Sequence, residues 1–468
     1  MATITQAYRF ALDPTPTQQR RLASQVGAAR KAFNAMLGEV KATLEARQWE
    51  RRILGGAVTE AQGWSLAALR RTWNANKDDW APWWRQCSKE AFNTGLDSLA
   101  RALGNWSASR TGTRAGARMG FPRFRKRGRG PQSVRFTTGA IRVEDDRHHV
   151  VLPRLGRIRT HESTRKLARR VEAGTARILS ATVTRSASRW YVSFTVEVQR
   201  QLGRDGLPAH VGASRQPVVG VDLGVATVAT VCAPDGTVVH EAPHPKALAA
   251  AQARLRRLGR KAARQHKGSN RWRCTQVRIA GCHARAANLR RDTLAKTTTR
   301  LAQRHDVIVI EDLNLAGMGR RKPGAGRGGR AFNRALRDGA LAEVRRQLTY
   351  KCHWYGSALV VADRWYPSSK TCSACGERKP SLRLAERTYT CDACGLVIDR
   401  DRNAAVNLAR LGENQQRPAG SGPVAGRGAD HKTEPASAGS AGGDEASTPH
   451  DTNGADQKGT APPQGKAA

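Results

Sequence analysis

The sequence predicts a multidomain chain, α+β in its first half and α/β in its second. A small antiparallel β-barrel is interrupted by a block of helices, and a strand–helix region follows. Three observations predict this. The chain has 468 residues, 39% of them apolar, enough for about three domains with cores of their own. The apolar spacing switches from period two to period 3.6 and back along the first half. The composition then breaks twice, at 203–216 and after residue 411, where apolar periodicity stops.

Charge sets the class of partner. Lys and Arg number 80 against 38 Asp and Glu, a net charge of +42. No stretch approaches the ~18 uninterrupted apolar residues of a membrane span. The N-terminus lacks the apolar core of a signal peptide. A membrane protein and a secreted disulfide scaffold are thereby excluded, and a cytoplasmic, nucleoid-associated protein is expected. A chain this basic meets polyanions, above all nucleic acid. The excess is mostly Arg, which grips phosphate with two parallel hydrogen bonds. Arg123-Phe124-Arg125-Lys126-Arg127 and the run over 254–264 read as phosphate-tracking surfaces.

The elements follow in order. Ile4, Tyr8, Phe10 and Leu12 alternate with mostly polar neighbours, which predicts a strand that Pro14 and Pro16 end. Leu22, Val26, Ala29, Phe33 and Leu37 carry helical spacing over about 17–46. Residues 60–108 are also helical and hold Trp64, Trp73, Trp80, Trp83, Trp84 and Trp106, expected as core packing. A Gly/Arg-rich loop over 109–131 closes the block. Residues 133–200 alternate with period two, and strand 4–12 can join their barrel. The split barrel is thus 1–16 with 132–202, the helical insert 17–131, and the linker 203–216.

The second half, 217–411, opens with the apolar strand 218–222, the Gly224 turn and a second strand to Cys232. A basic helical region over 246–304 leads to the buried strand 307–310. A Gly/Arg-rich segment over 317–329, a helical region 331–355 and a strand 359–361 follow. A final helix, about 402–411, stops at Gly412. The tail, 412–468, is rich in Gly, Ala, Pro and Ser, with five basic and seven acidic residues. It cannot bury enough surface to offset its ordering entropy and is expected to be disordered.

Cys372, Cys375, Cys391 and Cys394 form C-x2-C-x15-C-x2-C inside 368–398, each pair followed by Gly376 or Gly395. Four thiolates at this spacing suit a tetrahedral Zn²⁺ with no open position, hence a structural ion. Three acids stand out by context. Asp222 and Glu311 end apolar strands, and Asp401 opens the last helix beside Asp399. An acid at the end of a buried strand is costly unless it binds something such as a cation. Two strand-borne acids and one helix-borne acid can converge on Mg²⁺ ions, which activate water and stabilise a leaving phosphodiester oxygen. Asp399 and Asp401 compete for the helix N-cap, and Asp312 can be structural. The hairpin–strand–helix order of the three acids fits a ribonuclease H fold.

With these residues in view, the chain resembles the OrfB/TnpB family encoded by insertion sequences. The resemblance covers about 1–411 and rests on GVDLG around Asp222, IEDLNLAGM around Glu311, DRWYPSSKTCSACG, and YTCDACGLVIDRDRNAAVNL. It implies an RNA-guided DNA endonuclease that holds a guide RNA and cuts target double-stranded DNA. The split barrel and its helices become a wedge and recognition lobe, and the second half a RuvC-like nuclease with a zinc-ribbon insertion. The third acid maps to Asp401 rather than Asp399. Cleavage is then Mg²⁺-dependent and leaves a 5′-phosphate, with the helices over 249–304 gripping the guide or its heteroduplex. Three other readings compete: a transposase using the same acids, a regulator with vestigial acids, and a zinc-ribbon RNA-binding protein. The zinc-ribbon reading leaves the three placed acids unexplained.

Overall fold

The structure is a computed structural model that describes residues 2–128, 130, 132–200, 216–320, 327–383 and 386–416. Most of the 203–216 linker and the tail beyond 416 lie outside the described residues. So do 321–326 within the Gly/Arg-rich segment.

The period-two residues of the first half build seven strands. They are β1 (Ala2–Asp13), β2 (Ser133–Phe136), β3 (Arg142–Val143), β4 (His149–Leu152), β5 (Gly156–Thr160), β6 (Ala176–Ser186) and β7 (Arg189–Arg200). Ile4, Tyr8, Phe10 and Leu12 of β1 are buried, so the alternation does mark the inner face. β1 pairs antiparallel with β7 from Ala2 opposite Arg200 to Leu12 opposite Trp190, and with β5 at Leu12 and Asp13. The sheet order is β2-β6-β7-β1-β5-β4-β3.

The expected β-barrel does not close: among the described residues β2 and β3 are free edges of an open sheet. These edges span four and two residues, against 11 and 12 in the central β6 and β7. Edges that short present too few backbone groups to pair across the gap.

Between β1 and β2 the chain forms α1 (Pro16–Ile53), α2 (Leu66–Trp80) and α3 (Lys89–Arg110). The start of α1 is a capping box. Thr15 Oγ1 accepts from the Gln18 amide at 3.3 Å, and Gln18 Oε1 accepts from the Thr15 amide at 3.0 Å. Of the six tryptophans read as core, Trp73 is buried and stacks on Phe92 at 5.1 Å, whereas Trp83 is exposed. Core packing therefore describes Trp73 and overstates Trp83. A short helix, α4 (Arg165–Glu172), sits between β5 and β6.

The chain divides into two compact units, and Arg101–Pro122 is the described part of the smaller. Within it Trp106 meets Phe121 edge-on at 4.9 Å, and the Arg110 guanidinium lies over the Trp106 ring.

The second half builds a five-stranded sheet from β8 (Gln216–Asp222), β9 (Thr227–Cys232), β10 (Val238–Pro243), β11 (His305–Ile310) and β12 (Ala358–Val361). Its order is β10-β9-β8-β11-β12. The first three strands are antiparallel, and β11 runs parallel to both β8 and β12. The basic helical region is two helices, α5 (Ala247–Ala263) and α6 (Asn270–Arg304), with Ser269 Oγ capping the second through the Trp272 amide. After β11 come α7 (Leu315–Met318), α8 (Arg327–Gly339) and α9 (Leu341–Tyr355). A two-stranded hairpin, β13 (Thr388–Thr390) and β14 (Val397–Asp399), leads into α10 (Arg400–Gln416).

Two cores flank this sheet. Val219, Val221, Ile308 and Ile310 pack with Leu294 and Leu301 of α6 and Val344 and Leu348 of α9. Val218, Val307 and Val309 face Leu408 of α10 on the other side. The alternation within β8 and β11 sends successive valines to opposite layers. α10 does not stop at Gly412 but runs to Gln416. A Cβ at Gly412 would stand 2.5 Å from Val309 Cγ2, so this glycine permits close packing rather than ending the helix.

Candidate functional site

Strand register brings two of the predicted acids together. Ile310 pairs with Val221 across the parallel β8–β11 ladder, so Glu311 and Asp222 follow at the same end of adjacent strands. That end carries the parallel strands' carboxyl termini, where open sheets bind ligands. The third acid arrives on α10, which crosses β8 at Gly220. A Cβ there would lie 2.0 Å from the Ala405 carbonyl oxygen and 2.4 Å from the Ala409 nitrogen. The missing side chain lets helix backbone touch strand backbone, which sets the height of Asp401 in the first turn.

The competition between Asp399 and Asp401 is resolved by their hydrogen bonds. Asp399 Oδ1 accepts from the amides of Asp401 and Arg402 at 2.9 and 3.1 Å, so Asp399 is the cap. Asp401 is left to face the strand ends, with Arg387 at 3.9 Å. Asp312 turns away from this cluster and is clasped by Arg345 at 2.5 Å and Arg364 at 2.8 Å.

Burial pushes the Asp222 carboxyl well above its ordinary range, and the charges of Glu311 and Asp401 push it further. Asp401 is raised too, by burial and by Asp399, against the opposing pull of Arg387 and Arg400. Like charges gathered in a half-buried place disfavour joint ionisation unless a cation sits among them. The three carboxylates nevertheless remain further apart than the cysteines. Among the described residues, the four cysteines are the group of possible metal ligands whose atoms all lie within 4.8 Å of one another.

The cysteine centre is built from two turns. Gly376 and Gly395 hold φ of 83° and 71°, and their amides donate to the Cys372 and Cys391 carbonyls at 3.0 Å. Cys372 Sγ lies 3.6 Å from Cys394 Sγ, and Cys375 Sγ 3.6 Å from Cys391 Sγ. A tetrahedral zinc site with ~2.3 Å bonds has sulfur–sulfur edges of about 3.8 Å, whereas a disulfide needs about 2.05 Å. The sulfurs therefore fit one tetrahedral ion. Burial raises Cys372, but the amides of Cys375 and Ala374 outweigh it and bring the thiol down to about 7. The Glu377 amide lowers Cys375, but burial and the neighbouring thiols outweigh it and push the thiol up to about 12.

Sequence reasoning missed the polar side chains that join these two places. Ser368 Oγ donates to Glu311 Oε1. Asn407 Nδ2 donates to the carbonyls of Ser368 and Thr371, each at 2.7 Å. Asn403 accepts from the Ser373 amide at 2.9 Å and donates to the Thr371 carbonyl at 2.7 Å. A signal did exist, because Asn403 and Asn407 interrupt an otherwise apolar helix face at i and i+4. Ser368 lies inside the DRWYPSSKTCSACG segment, but nothing there marks it as a partner of Glu311.

In the second half, fold and site define a sheet covered by helices on both faces, with three carboxylates near its strand ends and four cysteines placed to share one metal ion. Three family models match in succession: an OrfB/IS605 helix-turn-helix domain over 1–48, the OrfB/IS605 model described as "Probable transposase" over 193–322, and a Cas12f1-like TNB domain over 342–408. Over the first of these the structure has β1 followed by the single long helix α1. A Mycobacterium tuberculosis protein named "Putative RNA-guided DNA endonuclease Rv2885c" is 45% identical over 447 residues, 93% of this chain and 92% of that one. An Escherichia coli protein with the same description, InsQ, is 31% identical over 87% of this chain and 92% of its own. The cryo-EM structure of a Cas12f1–sgRNA–target DNA complex aligns over 87% of this chain and 99% of that chain, at 12% identity and a TM-score of 0.44. The chain belongs to the OrfB/TnpB family of IS605-type insertion elements.

Proposed function

We propose that this protein is an RNA-guided DNA endonuclease whose nuclease centre is Asp222, Glu311 and Asp401. One observation carries the reading: the β8–β11 register and the Gly220 crossing of α10 gather three acids from remote segments at one sheet end. The strand order β10-β9-β8-β11-β12, three antiparallel strands continued by two parallel ones, supports a RuvC-like ribonuclease H assignment for the second half. The relatives' shared description supports guidance by RNA and DNA as the substrate.

The donor set fits Mg²⁺: hard carboxylate oxygens, with Asp222 and Asp401 raised first by burial and then by neighbouring carboxylates. These three residues would hold Mg²⁺, which would supply a lowered pKa for water and neutralisation of charge on the leaving phosphodiester oxygen. The chain's own groups do the rest. Asp399 spends its oxygen on the helix amides, which leaves Asp401 available. Arg345 and Arg364 hold Asp312 and keep its charge out of the cluster. Cys372, Cys375, Cys391 and Cys394 would hold Zn²⁺, which would brace the segment between β12 and α10.

A net charge of +42 supports binding of guide RNA and target DNA chiefly through phosphates, with base pairing between them reading the sequence. In this assignment the open seven-stranded sheet (1–16 with 132–202) and its helical insert (17–131) form the wedge and recognition lobe. Residues 217–411 form the nuclease, with the zinc ribbon at 368–398.

The test is to sequence the RNA that co-purifies with Asp222→Ala, and then to offer matching duplex DNA and Mg²⁺ to both proteins. One dominant RNA with a fixed scaffold and a variable 3′ end is expected, with cutting by wild type alone. Bulk cellular RNA, or equal cutting by the variant, would overturn the assignment.

A further inference from the structure

Glu311 is the one predicted acid whose carboxylate is held by another side chain's hydroxyl. Ser368 Oγ donates to Glu311 Oε1, and among the described residues this is the hydrogen bond that Glu311 makes. Ser368 is itself buried, 3% exposed, so its hydroxyl has no water to turn to. Its backbone is fixed on both sides: its amide donates to the Tyr366 carbonyl at 2.9 Å, and its carbonyl accepts from Asn407 Nδ2 at 2.7 Å. Tyr366 is pinned in turn, its hydroxyl donating to the Asn407 carbonyl at 3.1 Å.

The same short turn runs on to Cys372. Thr371, the residue before it, has its carbonyl gripped by both Asn403 and Asn407 at 2.7 Å, and Ser373, the residue after it, donates to Asn403. Asn403 and Asn407 are 0% and 5% exposed, and both lie on α10, the helix whose first turn holds Asp401. Burying two amides on an apolar helix face is costly unless every contact is made. Here the contacts fall on six residues, 368–373, which begin with Ser368 and include Cys372, one of the four clustered cysteines. One rigid helix thus fixes Asp401 directly and Glu311 at second hand.

We propose that Ser368 is a positioning residue for Glu311, seated by Asn407, and that it sets the affinity of the carboxylate cluster for its divalent cation. The inference rests on the nuclease reading of that cluster. A hydroxyl that fixes one carboxylate oxygen limits the rotamers of Glu311 and leaves the other oxygen for a cation. Loss of such an outer partner typically lowers metal affinity about 10- to 100-fold.

The test titrates Mn²⁺, followed by electron paramagnetic resonance of the free ion, into the full chain with its co-purifying RNA. Ions on RNA phosphates are removed by subtracting the same titration of Glu311→Gln. Ser368→Ala and Asn407→Ala approach the contact from its two ends, and Ser368→Thr keeps the hydroxyl. Zinc content is measured on every sample. Both alanine variants should weaken the Glu311-dependent Mn²⁺ site about tenfold or more while keeping zinc, and the threonine variant should stay closer to wild type. Wild-type Mn²⁺ affinity in Ser368→Ala would overturn the proposal and leave the nuclease reading standing. Weakening that comes with zinc loss in both alanine variants would make the contact merely structural, and would overturn it as well. Identical titrations of wild type and Glu311→Gln would remove the cation from Glu311, and the nuclease reading would fall with the proposal.

Discussion

One short segment links Glu311, through Ser368, to Cys372, yet the carboxylates and the cysteines are assembled in opposite ways. The cysteines come from 23 consecutive positions, 372–394, and their sulfurs already stand within 4.8 Å of one another. The carboxylates come from β8, the end of β11 and the start of α10, and only the sheet's register and a helix crossing gather them. A ligand set closed by local turns suits an ion that stabilises structure. A looser set at the junction of three remote elements suits an ion that meets a substrate. The two centres should therefore respond to mutation with opposite signs of stability.

The largest effect is expected at the cysteines. Structural zinc binds zinc-finger peptides with an apparent ~10–16 kcal/mol, and a site of that kind is folding free energy. Cys372→Ser combined with Cys375→Ser should abolish zinc, measured by elemental analysis. It should also raise protease sensitivity across 368–398, where digestion products can be mapped. Retention of one zinc per chain by the double variant would contradict a four-thiolate centre.

At the carboxylates the sign reverses. Asp222 and Asp401 are raised in the folded chain, chiefly by burial, so the folded state holds protons that the unfolded state releases. Without a divalent cation, the stability these two groups contribute is fully present below the ordinary carboxylate value near 3.8 and is lost as pH rises from there through the raised value. At neutral pH the metal-free chain bears that penalty. Asp222→Asn removes it, and the melting temperature in chelator should rise by roughly 2–4 °C per kcal/mol relieved. Added Mg²⁺ should stabilise wild type and leave the variant nearly unmoved. An Asp222→Asn protein that melts below wild type in chelator, or that still gains from Mg²⁺, would break the contrast.

The sequence was informative where a short segment decides its own structure. The cysteine spacing with Gly376 and Gly395 specified two turns and a cluster. The apolar runs before Asp222 and Glu311 specified buried strands that end in acids. Closure of the first sheet was not legible, because alternation states which face is buried and is silent on whether distant edges meet. The strand β10 and the helix α4 were not read, as each is short and its pattern merges with its neighbours. Asn403 and Asn407 were visible as polar breaks in an apolar face, but their partners 30 to 39 residues upstream were not. Ser368 stood inside the DRWYPSSKTCSACG segment, but its contact was not legible, since it depends on a carboxylate 57 positions away.

The smallest expected effect separates two acids that are adjacent in sequence. Glu311 faces the cluster and Asp312 faces two arginines, one on α9 and one just after β12. Burial raises Asp312, but its hydrogen bonds to Arg345 and Arg364 more than offset this and hold it below the ordinary range. Its stabilisation is thus present above about pH 3.8, the unfolded value, and is lost as pH falls through the lower folded value. Both arginines are about half exposed, so water and salt screen the pairs, and each is worth at most about 1 kcal/mol. Asp312→Asn should lower the melting temperature slightly at pH 7, with the difference shrinking at high salt and fading as pH falls through the lowered folded value. Mn²⁺ affinity of the carboxylate cluster should stay within about twofold, since Asp312 contributes no ligand to it. If Asp312→Asn instead weakened Mn²⁺ as strongly as Glu311→Gln, the two acids would share one task, and the arginine clasp would be a resting state of a metal ligand rather than a tie between elements.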